Sequence, residues 1–538
     1  MKTYEELKKN FSWKEAEIYF DWNPGENVNM AHLICDRWTE NAEKVAIYWE
    51  DELGNQETWT FTSLKEKSNQ MANALRSMGI KKGDRVTGLL GKEMELIVFV
   101  LAAWKVGAIY VPLFTAFGPE AIKHRLTDSK AGLIVTNKEQ AQKLEGMNLP
   151  LQVLLVDDLN SEGKTFWEFV DSFSSEHEVE QTTAEDPSII QYTSGTTGLP
   201  KGAMIGHKSC IALYPYMKYG VHVEEDEVFF GGADMGWAYG LMACTFAPLS
   251  FGARVVVYKG SFDVKKIYGL LEKHEVTNFT YAPTAYRMMM AAGTELLKKY
   301  KLKVKKFSSA GESLNDEVVN FFYKNLGKAI YDHYGSTETG MIINNYNITD
   351  MVVKPGSMGL PLPGYKVGLI DKQGGEVGLG EIGEIAIDVS QRPVNFMGYW
   401  ENPADTKQKY LDKWFMTGDL ARQDEDGYFW FQGRTDDVIM SAGYRIGPTE
   451  IENVLLQHPA VLETAVVGIP DAVKGELVKA FVVLNESSKA SDELGERLKS
   501  FVKSKLSKHQ YPKEIEFIGK LPKTQSGKTQ RYLLKNVK

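Results

Sequence analysis

Cysteine is nearly missing from this chain: Cys35, Cys210 and Cys244 are the three thiols in 538 residues. An odd number of widely spaced cysteines excludes a disulfide framework and a Cys-based zinc site, and it fits a reducing compartment. Long apolar runs are scarce as well. The longest, from Leu96 to Phe114, is broken by Lys105, Gly107 and Pro112, so it reads as a buried helix followed by a strand and not as a membrane span. The stretch Met1 to Lys9 has no apolar signal region, and a cytoplasmic protein is expected. An excess of basic charge is also lacking. The net charge of −9 argues against general nucleic-acid binding, so an anionic ligand must be met by local donors and a metal ion.

What is present is ordinary for a soluble globular chain, with 43% hydrophobic and 25% charged residues. A length of 538 residues predicts two or more domains. From about residue 60, helical and strand patterns alternate. Phe61–Met78 has apolar residues at helical spacing and stops at Gly79; strand-like runs follow at 85–90, 131–136, 254–258, 278–281 and 329–331. Such alternation predicts an α/β fold with largely parallel sheets, whose ligands gather at the C-terminal ends of strands. From 355 to 435, short strands between Gly and Asp turns, such as Gly374-Gly375 and Asp424 to Gly427, predict a β-rich subdomain. The last hundred residues differ in composition: residues 498–538 carry ten Lys and one Arg against two Glu. A boundary is placed at Asp436, giving domains 1–435 and 436–538.

The densest local signal is Thr193, Ser194, Gly195, Thr196, Thr197, Gly198, Leu199, Pro200, Lys201 and Gly202, just after the apolar run 188–192. Glycines allow close backbone approach, hydroxyls and N–H groups donate, and Lys201 adds positive charge, so the loop suits phosphate. It lacks the Walker spacing, and near the C-terminus Gly527-Lys528-Thr529 imitates that motif only with Pro522 in place of its first glycine.

Four further segments join it. Tyr334, Gly335, Ser336, Thr337 and Glu338 follow a predicted strand; a carboxylate beside a phosphate loop repels phosphate unless Mg²⁺ lies between, so Glu338 reads as a metal ligand. Asp419 follows the turn residue Gly418, placed to hydrogen-bond a diol such as ribose. Arg434 offers a guanidinium for the same sugar or a phosphate. Pro522 to Lys528 is a basic, glycine-containing loop whose lysine is suited to charge developing at phosphorus.

In order and spacing these segments resemble the signature motifs of the adenylate-forming ligases, which include acyl-CoA synthetases, amino-acid adenylation domains and luciferases. The resemblance runs from about residue 30 to 535. It implies a large N-terminal domain of layered α/β sheets plus a β-rich subdomain, and a small, mobile α+β C-terminal domain. It further implies that the 193–202 loop holds the β- and γ-phosphates of ATP. Gly311, Glu312, Ser313, Asp332, His333 and Tyr334 would contact adenine, while Asp419 and Arg434 hold ribose. Thr337 would touch the α-phosphate, Glu338 would bind Mg²⁺, and Lys528 would be the catalytic lysine of adenylation. Asp436 matches the hinge, and Ala442, Gly443, Tyr444 and Arg445 match the segment entering the pantetheine tunnel of coenzyme A after domain rotation. The implied reaction is adenylation of a carboxylate followed by thioester formation with CoA.

Leu113 to Phe117 and Gly236-Trp237 look like acyl-CoA synthetases and not peptide-synthetase domains. Acetate-specific relatives close the acyl pocket with a tryptophan in Trp-Trp-Gln-Thr-Glu; here that position is Gly335. Ala310, Trp237, Ala238 and Tyr239 complete the expected pocket. Together with the run Ser441 to Pro448 this most resembles medium-chain acyl-CoA synthetases, and each added buried CH₂ of substrate is worth about 0.8 kcal/mol. An acetate-specific enzyme, an aryl-acid or carrier-protein-directed ligase, and a non-catalytic ATP-binding regulator are the alternatives. Oligomeric state is left open, with a homo-oligomer compatible.

Overall fold

Strands buried on both faces are the framework, and their apolar runs are what the sequence shows as strand signals. The computed structural model describes residues 3–157, 165–193, 199–312, 314, 316–346, 351–390, 395–441, 444–471, 475–486, 488–506, 511–523 and 529–535. The chain forms two compact units, residues 1–366 with 389–410, and residues 367–388 with 411–538.

The first unit holds two large sheets of the same plan. In the nine-stranded sheet, Ile330–Ser336, Lys306–Ala310, Asn278–Tyr281, Val228–Gly231, Arg254–Lys259 and Val45–Asp51 run parallel in that spatial order. Gly340–Asn344 then returns antiparallel along Ile330–Ser336. In the seven-stranded sheet, Pro187–Thr193, Ile109–Pro112, Arg85–Leu89, Leu133–Thr136 and Gln152–Leu155 are parallel, and Lys201–Gly206 returns antiparallel along Pro187–Thr193. The α/β expectation is met, and the strands fall where the sequence placed them.

Helices cover these sheets as their patterns require. Phe61–Ser77 starts with a capping box between Thr60 and Ser63 and buries Leu64, Met71, Ala72 and Leu75. The run Leu96 to Phe114 is the helix Met94–Lys105 and the strand Ile109–Pro112, joined through Gly107 at φ +71°. That helix is apolar all round because it is buried all round. Among the described residues, no helix is long and apolar enough to cross a membrane. On the nine-stranded sheet, Phe230, Phe279 and Phe307 pack against Tyr268, Tyr286 and Phe322 from the covering helices.

The β-rich stretch divides. Phe396–Tyr399 pairs antiparallel with Lys201–Gly206 at the edge of the seven-stranded sheet, Tyr399 opposite Ala203. Val367–Ile370, Ile382–Asp388, Trp414–Gln423 and Phe429–Arg434 form a separate antiparallel sheet in the second unit. A further sheet there contains Gly475–Leu484 and Val461–Asp471, with Pro448–Leu456 and Asp492–Lys505 packed on its core. Asp436, the expected domain boundary, lies on the turn after Phe429–Arg434, inside the second unit. Strand and helix meet closely there: a Cβ on Gly447 would stand 2.3 Å from the carbonyl oxygen of Gln432, and one on Gly433 would stand 3.2 Å from Pro448.

Arg531 ties the basic end of the chain into this unit through largely buried carboxylates. Arg531 donates to both carboxylate oxygens of buried Glu452, at 2.8 and 2.9 Å, and pairs with Asp437 at 3.2 Å. Glu452 also accepts from the N–H of Val466 at 2.8 Å. Removing the guanidinium leaves two largely buried carboxylates uncompensated. Arg531→Ala is therefore expected to cost the second unit about 3 kcal/mol, seen as faster amide hydrogen exchange in Pro448–Leu456 and Val461–Asp471. Unchanged exchange in both segments would contradict the clamp.

Candidate active site

Both signature loops are hairpin returns at the C-terminal ends of parallel strands. Thr193 ends one strand and pairs with Lys201, which begins the next. Ser194, Gly195, Thr196, Thr197 and Gly198 lie outside the described residues, as do Ser313, Ala442, Gly443 and Lys528. Gly202 is required by packing, since a Cβ there would stand 2.5 Å from Ile190 Cγ2. On the other sheet, Ser336 ends its strand and Gly340, at φ +66°, begins the return. Ser336 and Thr339 close this turn by exchanging backbone-to-hydroxyl bonds of 3.0 and 3.2 Å. Thr337 and Glu338 are thereby held at its tip, half-buried.

The two returns meet. Glu338 Oε1 accepts from Tyr399 Oη at 3.0 Å and from Thr193 Oγ1 at 3.3 Å. Lys201 Nζ pairs with Asp405 at 2.6 Å and stands 5.6 Å from the centroid of the Tyr399 ring. The lysine hydrogen bond holds the Asp405 carboxyl below its usual range. Asn402 caps the helix Pro403–Gln408 and hydrogen-bonds Asp405, which fixes that acid. Tyr399 and Asp405 were not read from the sequence. The signal for them is Gly398-Tyr399-Trp400 followed by the capping pair Asn402-Pro403, but nothing local says that this strand joins residues two hundred positions earlier.

Among the described residues no group of three His, Cys, Asp or Glu is placed to hold a metal. Glu338 with two hydroxyls fits Mg²⁺ nonetheless, because this ion commonly takes one or two carboxylates and fills its shell with water and phosphate oxygens.

The neighbouring strand ends carry the remaining expected residues. Ala310 is buried and pairs with His333; Gly311 follows at φ +100°. The Glu312 carboxylate accepts from Arg287 at 2.7 Å and from Thr284 at 2.9 Å. Asp332 is buried with Oδ1 unpartnered, and burial raises its carboxyl well above the usual range against the backbone N–H groups of Leu314 and His333. Burial pushes His333 down to about 3, so its imidazole is neutral. Tyr334 and Gly335 sit at a bulge opposite Ile343 and Met341. Trp237 is half-buried, its ring 6.2 Å from that of Phe114, and is followed by Ala238 and by Tyr239 at the start of the π-helical segment Tyr239–Phe246. The Tyr239 hydroxyl is hydrogen-bonded to Thr280 Oγ1 at 2.6 Å.

In the second unit, Asp419 and Arg434 are cross-strand partners, and their side chains pair at 3.2 Å. Arg434 also pairs with Asp436 at 3.2 Å. Burial works against its charge, and the two aspartates more than offset this, so its pKa is raised. Tyr444 and Arg445 lie on Tyr444–Ile446, which pairs with Ile439–Ser441.

Residues 35–400 match the AMP-binding enzyme family and residues 450–528 match the AMP-binding enzyme C-terminal domain. The chain belongs to the AMP-binding enzyme family, in its acyl-CoA synthetase branch. An acetyl-coenzyme A synthetase of Bacillus subtilis is 40% identical over 99% of this chain and 95% of its own length. A mitochondrial acyl-coenzyme A synthetase of Mus musculus is 36% identical over 98% and 92%. The crystal structure of an acyl-CoA synthetase of Brucella canis is similar with a TM-score of 0.79 at 39% identity, covering 99% of this chain and 98% of its own.

Gly335 has a backbone reason to be glycine. A Cβ there would stand 2.1 Å from the carbonyl oxygen of Gly340 and 2.7 Å from Met341 Cα. Gly335→Ala must push the return strand away, with an expected cost of about 1–3 kcal/mol and a displaced Glu338 turn. The thermal midpoint and ATP affinity should both fall; parental values for both would refute the crowding.

Proposed function

We propose that this enzyme adenylates a carboxylic acid of short to medium chain length and then forms its CoA thioester, releasing pyrophosphate and AMP. The observation that carries the reading is the junction of the two hairpin returns, where Glu338 is held by Thr193 at the mouth of the phosphate-binding turn. In the first half-reaction an oxygen of the substrate carboxylate attacks the α-phosphorus of ATP. The bond from that phosphorus to the bridging oxygen breaks, and pyrophosphate leaves. In the second, the CoA sulfur attacks the acyl carbon, the bond to AMP breaks, and the thiol proton passes to solvent. A carboxylate is a poor electrophile, and adenylation gives its carbon a good leaving group.

Such chemistry needs positioning and charge stabilisation more than covalent assistance. Residues 193–198 and Lys201 hold the β- and γ-phosphates, with Thr337 on the α-phosphate. Glu338, beside the Thr193 and Tyr399 hydroxyls, would hold Mg²⁺, which would supply positive charge next to the phosphates. Gly311, Glu312, Ser313, Asp332, His333 and Tyr334 frame adenine; the unpartnered Asp332 Oδ1 supports an acceptor role there. Asp419 and Arg434 hold ribose, and their pairing keeps both groups oriented. Lys528 stabilises charge during adenylation, Asp436 is the hinge of the 436–538 domain, and residues 442–445 serve CoA. A cytoplasmic location is supported by Cys35, Cys210 and Cys244 all being free thiols.

The acid is set by Trp237, Ala238, Tyr239, Ala310 and Gly335. Small residues at 310 and 335 favour acids longer than acetate. The rival reading is acetate, the acid in the name of the Bacillus subtilis relative. In a panel from acetate to octanoate, kcat/KM is expected to peak beyond acetate, and strict acetate preference without butyrate or hexanoate turnover would overturn this assignment. CoA-dependent AMP release separates the enzyme from a carrier-protein ligase.

Lys528→Ala is expected to reduce acid-dependent pyrophosphate exchange by at least about a hundredfold, the scale of losing one charge-stabilising donor. Thioester formation from supplied acyl-adenylate should be largely spared. Equal loss of both half-reactions would contradict the division of labour.

A further inference from the structure

A buried chain of hydroxyls runs from the adenine strand to the wall of the proposed acyl pocket. Two of its links are hydrogen bonds: His333 Nδ1 lies 3.1 Å from Tyr216 Oη, and Tyr239 Oη lies 2.6 Å from Thr280 Oγ1. Thr280 Oγ1 reaches the carbonyl oxygen of Ser308 at 3.3 Å. Thr280, Tyr216, His333 and Ser308 are buried, so every hydrogen in the chain needs a protein acceptor. At the pocket end one polarity meets that condition: Tyr239 donates to Thr280, and Thr280 donates to the Ser308 carbonyl, which cannot donate in return.

The chain is packed as well as bonded. The Tyr216 and His333 rings meet edge to face at 5.3 Å, and a Cβ on Gly220 would stand 3.0 Å from the Tyr216 ring. Tyr216 and Tyr239 both open π-helical segments, Tyr216–Gly220 and Tyr239–Phe246, a local widening common at functional sites. Thr280 lies on the central strand Asn278–Tyr281, flanked by Val228–Gly231 and Lys306–Ala310. The free rotation of a tyrosine about its side-chain bonds is thus removed by a group that need not touch substrate.

We propose that Thr280 is a specificity-determining positioning residue, whose hydroxyl fixes the Tyr239 ring in one orientation and so sets the acyl chain length the pocket accepts. This rests on the acyl-pocket reading above. With the anchor gone, the ring samples other rotamers and the pocket ceases to discriminate sharply between neighbouring acids.

The test is a kcat/KM profile from acetate to octanoate for the parent, Thr280→Val and Thr280→Ser, with KM for ATP measured alongside. Losing one neutral hydrogen bond corresponds to about a fivefold change. Thr280→Val is therefore expected to reduce the preference for the best acid over the acid two carbons longer by about fivefold, with KM for ATP unchanged. Thr280→Ser, which keeps the hydroxyl, should restore the parental profile. Tyr239→Phe, which keeps the ring and removes its hydroxyl, should flatten the profile likewise and carries the test if Thr280→Val does not fold. An unaltered profile, a uniform loss over all acids, or serine behaving as valine would overturn the proposal. A parent that makes no acyl-CoA from any acid would instead overturn the underlying function, which separates the two failures.

Discussion

The hydrogen bond between Thr193 and Glu338 depends on how a parallel sheet ends. Parallel neighbours require a crossover of a dozen or more residues, whereas an antiparallel neighbour can be reached by a short return. Each large sheet of the first unit uses such a return after an outer parallel strand, and each return turns at the C-terminal end of that strand. The turn is where backbone N–H groups and short hydroxyl side chains are freed from the ladder. One return supplies the glycine- and threonine-rich stretch, and the other supplies Glu338. The third participant, Tyr399, arrives because its strand pairs with the first return in a register that puts it opposite Ala203. Sheet pairing, more than any single loop, assembles the site.

The same economy couples Gly335 to the Glu338 turn. Gly335 was read as the place where an indole is lost and volume gained. In the structure it is also the point where the bulged strand passes so close to Gly340 that no side chain fits without backbone movement. A bulky residue at this position therefore demands a different path for the return strand, and the Glu338 turn lies three residues on. On the proposed reading, chain-length preference and nucleotide geometry would be linked through that bulge, and a residue here could not be exchanged as though it were an isolated wall.

Local features were legible in the sequence because their causes are local. The helix Phe61–Ser77 announces itself by period and cap, and the strands by apolar runs between turn residues. Thr193, Lys201, Glu338, Asp419 and Arg434 stand out because their neighbours are turn formers. Pairings between distant segments were not legible. Phe396–Tyr399 sits in a stretch of short strands and turns yet completes the sheet of a different unit, which a period-two pattern cannot specify. The buried chain from His333 to Thr280 is invisible for the same reason: its members are ordinary residues in apolar surroundings until folding puts their hydroxyls in line. Asp436 illustrates the converse. The motif around it was clear, but the close packing of Gly433 and Gly447 that holds this turn within the second unit lies in the tertiary structure.

Charge explains why the junction of the returns suits a nucleotide with a divalent cation better than a simple anion. Among the described residues, Lys201, Glu338 and Asp405 bring one cation and two carboxylates there. A chain with net charge −9 adds no favourable long-range field. Asp405 does not cancel Lys201, since an ammonium has three donors and the aspartate engages one face, leaving the others available to phosphate. Glu338 is the group that repels. On the function proposed above, a cation would reverse the local sign there, while the Tyr399 and Thr193 hydroxyls hold the carboxylate in one orientation through Oε1.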